Sequence, residues 1–74
     1  MTDQRKQEII EGVVAAVEAA RGKSHHAFFP ILESERREYA IDFESITERI
    51  DFTLYGICDI DLGYAKIPAI HIQL

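Results

Sequence analysis

Seventy-four residues, 47% hydrophobic and 28% charged, predict one globular rather than disordered domain (residues 1–74), with no second domain expected. The net charge of −5 argues against direct nucleic-acid binding, because affinity for a phosphate backbone needs the reverse sign. A chain this short buries only roughly 60% of its unfolded surface, and its single cysteine, Cys58, excludes an internal disulfide. Stability must then come from good packing or from a partner subunit, so a homodimer is expected. With Asp3, Arg5, Lys6 and Glu8 among the first eight residues, no signal peptide is expected. The apolar run at 13–20 is broken by Glu18 and is shorter than the about 20 residues a membrane span needs. The resulting expectation is a cytoplasmic protein with no membrane partner.

In chain order, Thr2 or Asp3 can cap a helix over about 3–21. Ile9, Ile10, Val13, Val14, Val17 and Ala20 form its apolar stripe, and Gly22 is its natural stop. Gly12, Ala16 and Ala20 are spaced by four, a smooth groove that suits close packing on the chain's own sheet or, alternatively, on a second helix. Residues 27–32 read as an edge strand or the start of a short helix, since Pro30 cannot sit in a central ladder. Residues 33–37 read as a polar turn. Tyr39, Ile41 and Phe43 alternate with Ala40, Asp42 and Glu44, a second strand. Residues 45–49 read as the hairpin turn that follows, although Ser45 and Glu48 also resemble a capping box, with Ile46 and Ile50 four apart.

Residues 50–62 keep strict two-residue alternation. The even positions, Ile50, Phe52, Leu54, Gly56, Cys58, Ile60 and Leu62, read as the core face. The odd positions, Asp51, Thr53, Tyr55, Ile57, Asp59 and Asp61, read as the wet face. Thirteen residues would extend ~43 Å, more than the diameter of about 30 Å expected for the domain. The strand must therefore bend, most cheaply at Gly56, or pair with another subunit. A turn centred on Gly63 leads to a last strand at 66–74, with Pro68 expected at an edge or bulge. The fold class is α+β: an N-terminal helix packed on one face of a three- or four-stranded antiparallel sheet, an αβββ or αββββ two-layer sandwich.

Between Glu38 and Asp61 there are seven acids (Glu38, Asp42, Glu44, Glu48, Asp51, Asp59, Asp61) against one base, Arg49, so the net charge belongs to the β half. Asp42, Asp51, Tyr55, Ile57, Asp59 and Asp61 are the expected partner-binding surface, suited to a basic protein. Asp59, Asp61 and His71 are weak candidates for Mg²⁺ or Ca²⁺, without a calcium-loop motif. His25 and His26 read as surface residues of a turn, or as a general base or zinc ligand without recognised spacing. Cys58, placed in the core register, is not an expected nucleophile. No phosphate loop, paired-cysteine motif or catalytic triad appears, and no catalytic residue or cofactor is assigned. The expected function is a small interaction or regulatory protein, homodimeric, binding a macromolecule through an acidic sheet face. An inhibitor of phage or mobile-element origin is one version of it. The alternative is a ligand-binding or metal-dependent enzyme with its site between subunits.

Overall fold

The computed structural model describes residues 2–36 and 43–74. Helix α1 spans Asp3–Ala20, capped by Thr2, whose hydroxyl accepts from the Arg5 N–H at 3.1 Å. It ends where Gly22 turns with φ +80, and the N–H groups of Lys23 and Ser24 close on the Ala20 carbonyl. Strand β1 is His26–Pro30, followed by a single 3-10 turn at Glu33–Glu35. A one-turn helix, α2, spans Phe43–Thr47. Strands β2 (Leu54–Asp61) and β3 (Lys66–Gln73) form a hairpin whose turn holds Gly63 at φ +87.

The sheet order is β1-β3-β2, antiparallel throughout, with α1 packed on one face as an α+β, αβββ arrangement. The molecule measures 32 × 30 × 17 Å, one helix layer on one sheet layer. Ile9, Val13 and Val17 of α1 share one buried cluster with Ile70 and Ile72 of the central strand and Ile46 of α2. Gly12 lies against the Phe29 ring of β1. A Cβ there would lie 2.1 Å from the Phe29 ring, so α1 is held against β1 by the missing side chain. Of the two readings of the small-residue groove, packing on the chain's own sheet is the one observed.

Three expectations change, and a fourth falls largely outside the described residues. Residues 37–42, and with them most of the strand expected around Tyr39, Ile41 and Phe43, lie outside the described residues, and Phe43 itself opens α2. The stretch 45–49 is not a hairpin turn: the spacing of Ile46 and Ile50 marks a helical turn, whose end is closed by Ile50 N–H to the Ile46 carbonyl at 3.1 Å. The long strand is eight residues rather than thirteen, so it fits the molecule without bending at Gly56, which stays in the ladder opposite His71. Pro68 lies in the central strand, not at an edge. Its carbonyl accepts from Ile31 N–H at 2.9 Å, and the return bond that proline cannot make falls just past the end of β1. Pro30, by contrast, lies on an edge strand as expected.

Candidate functional site

The pairing register decides which side chains share a face. Tyr55, Ile57, Asp59 and Asp61 stand opposite Ile72, Ile70, Pro68 and Lys66, while Ala27 and Phe29 of β1 stand opposite Ile72 and Ile70. Ile70, Ile72 and Ala27 are buried under α1, and Phe29 and Ile57 pack against the same core. The odd positions of β2 thus lie on the helix-bearing face. Its even positions, Leu54, Gly56, Cys58 and Ile60, lie on the open face. The partition into two faces follows the alternation, but the sides are exchanged.

The central strand explains the exchange. Its residues on one side are Ile70 and Ile72, and on the other His71 and Gln73. Burying two isoleucines outweighs anything the edge strand offers, at about 1.5–3 kcal/mol for each side chain, and pairing then carries β2 with it. The break at 51–53 lets Ile50 enter the core and Phe52 pack against it, although Leu54 onward points away. Alternation carries its phase only along an unbroken strand.

The expected surface is dispersed by this geometry. Asp59 accepts from Arg36, which also forks onto Glu33 at 2.9 and 3.1 Å; the two carboxylates, Glu33 first, raise the guanidinium above its ordinary pKa. Asp61 accepts from the Gly63 N–H at 2.8 Å and stands opposite Lys66. Asp51 is exposed on the segment leading into β2, and Asp42 lies outside the described residues. Tyr55 stacks on Phe43 at 4.3 Å and meets Phe52 edge-on. Ile57 is half-buried and packs against the core cluster. A continuous acidic sheet face is therefore absent from the described residues. The Asp59, Asp61 and His71 metal candidate also dissolves, because His71 projects from the opposite side of the sheet. Among the described residues, no group of three or more His, Cys, Asp or Glu is placed to hold a metal ion.

What the open face carries is an uncharged surface. From β1 come His26, Phe28 and Pro30; from β3, Ile67, Ala69, His71 and Gln73; from β2, Leu54, Gly56, Cys58 and Ile60. No Asp, Glu, Lys or Arg is among them. Phe28 is 45% exposed and Leu54 61%. His26 Nδ1 and His71 Nε2 lie 2.7 Å apart, and the His71 ring stacks on Phe28 with centroids 4.8 Å apart. Sequence reasoning missed this pair because it requires the strand order: His26 and His71 are 45 residues apart and meet only when β1 pairs with β3. Cys58 is half-buried on this face, not in the core.

Reasoning from sequence also missed Glu35, which is 4% exposed and held by Arg5 through Nε to Oε2 at 2.6 Å and Nη2 to Oε1 at 2.9 Å. The Leu32 N–H donates to the same carboxylate at 2.6 Å. The Arg5 fork holds Glu35 below the usual carboxylate range, against the opposing effect of burial. The pair ties the start of α1 to the segment after β1, and a polar-turn composition gives no sign of it. Glu11 and Arg49 make a similar but exposed tie between α1 and the end of α2.

No helix among the described residues is long and apolar enough to cross a membrane. Protein-family models, curated proteins and solved structures contain no match to this chain.

Proposed function

We propose that this chain is a small protein–protein interaction protein, binding rather than catalytic, whose acting form is a homodimer. One observation carries the reading: among the described residues the sheet is covered by α1 on one side, and the strand residues of its other side include Phe28, Leu54, Cys58 and Ile60 and no Asp, Glu, Lys or Arg. Contiguous exposed apolar surface of this kind marks a contact with another macromolecule. The net charge of −5 favours protein over nucleic acid as the class of partner. Relative to a basic partner docking on sheet carboxylates, the contact moves to the uncharged face, because Asp59 and Asp61 are engaged with Arg36 and with the β2–β3 turn.

Sedimentation equilibrium from about 1 to 500 µM tests the reading, on the scale where small interfaces assemble. The mass should rise with concentration from 8.5 kDa toward twice that value. A mass that stays at 8.5 kDa throughout would remove the homodimer.

A further inference from the structure

We infer that His26 and His71 form a two-imidazole binding site for a divalent transition-metal ion of the Zn²⁺ and Ni²⁺ class, on the side of the sheet that α1 leaves open. The site goes beyond the binding role proposed above and does not depend on self-association.

Strand pairing builds the site. His26 stands opposite Gln73 and His71 opposite Phe28, so the two imidazoles are diagonal neighbours on one face of the β1–β3 ladder. That ladder is closed at both ends, by Leu74 N–H to the His25 carbonyl at 2.8 Å and Ile31 N–H to the Pro68 carbonyl at 2.9 Å. Phe28 lies against the His71 ring with centroids 4.8 Å apart and planes 14° apart, which restricts that ring's rotation. The His26 ring meets the His71 ring edge to edge. Their centroids are 4.9 Å apart, and the facing nitrogens, Nδ1 of His26 and Nε2 of His71, are 2.7 Å apart.

The donor chemistry selects the ligand. A neutral imidazole has one ring nitrogen with a free lone pair and one that carries a hydrogen. In the pair, one facing nitrogen donates and the other accepts. Moving that hydrogen to the outer nitrogen of its own ring, a change of tautomer, frees both facing lone pairs without loss of a proton. Two nitrogens held at about 2.0–2.1 Å by a tetrahedral ion stand about 3.3 Å apart. From 2.7 Å the facing nitrogens must therefore part by about 0.6 Å and swing toward solvent, which small turns of the two rings supply. Imidazole nitrogen suits Zn²⁺, Ni²⁺ and Cu²⁺. Mg²⁺ and Ca²⁺ are held chiefly by carboxylates, and the described strand residues of this face include none. They include no Lys or Arg to repel a cation either, and the net charge of −5 favours its approach. His26 is exposed and His71 half-buried, so water completes the coordination sphere.

The experiment titrates the intact chain with ZnCl₂ and with NiCl₂ by calorimetry at about pH 7.5, where an unperturbed imidazole is neutral. The imidazole nitrogen resonances are followed by NMR in the ZnCl₂ series. One ion should bind per chain, shifting His26 Nδ1 and His71 Nε2 together and leaving the His25 ring unmoved, a reading that needs no variant. His26→Gln and His71→Gln, verified as folded by circular dichroism, should each lower affinity about 100-fold, because the remaining donor binds without the high local concentration of the other. His25→Gln and Cys58→Ser should bind as the wild type does, and MgCl₂ should give no heat of binding. Absence of binding by both Zn²⁺ and Ni²⁺ overturns the inference. So does binding that either single variant retains within a few-fold, or that is lost in His25→Gln or Cys58→Ser. Half an ion per chain overturns a site contained in one molecule.

Discussion

The two faces of one sheet make the instructive comparison. Under α1, Ile70, Ile72, Ala27 and Ile57 sit in a dry layer with the helix valines. On the other side, His71, Gln73, Cys58 and Ile60 come from the same strands at neighbouring positions. Local alternation separates these sets cleanly, but it does not say which set is inside. The central strand does, because its residues 69–73 are paired on both sides and its burial choice binds its neighbours.

The largest expected effect contrasts the faces directly. Ile70→Ala should cost about 3 kcal/mol in chemical denaturation, the usual penalty for emptying a fully buried site. Ile60→Ala, measured on dilute monomer, should cost less than about 1 kcal/mol. Equal costs would erase the distinction between inside and outside.

Next comes the buried ion pair that anchors the helix layer. Glu35→Gln should cost about 1–2 kcal/mol, because an amide NH₂ replaces the oxygen that accepts from Arg5 Nε and the guanidinium loses its counter-charge, while the remaining oxygen can still accept from the Leu32 N–H. Since the Glu35 carboxyl is held below its ordinary range, its contribution is present above that range and lost as pH falls through it. Wild-type stability should therefore drop more steeply below about pH 4 than that of Glu35→Gln, in denaturation series at stepped pH.

A smaller effect is expected at the seam between the layers. Gly12→Ala gains about 1 kcal/mol of helix propensity but drives a methyl into the Phe29 ring. Overpacking costs about 1–3 kcal/mol, so a net loss of about 1 kcal/mol is expected. Combining it with Phe29→Leu should relieve the clash, giving a non-additive cycle. Smallest of all, Asp59→Asn breaks an exposed bridge to Arg36 and should leave the melting temperature nearly unchanged.

Much of the fold was legible from local signals. The helix, its Thr2 cap, its stop at Gly22, the Gly63 turn and the alternation of Ile70 and Ile72 each follow from a few adjacent residues. Illegible were the features that depend on what lies across the sheet. The order β1-β3-β2 puts Pro68 in the central strand and brings His26 to His71, and neither can be seen along the chain. The interrupted phase at 51–53 then moved Cys58 and Ile60 outside. Of the expected partner surface, Tyr55, Ile57, Asp59 and Asp61 do share a face, but it is the one the helix occupies.

The central claim is that α1 covers the side of the sheet bearing Ile57, Ile70 and Ile72. Methyl NOEs on protein labelled at isoleucine and valine test it most directly. Ile70 and Ile72 should show NOEs to Val13 and Val17 of α1, and Ile60 should show none within one molecule. Intramolecular NOEs from Ile60 to those valines, with none from Ile70, would contradict it.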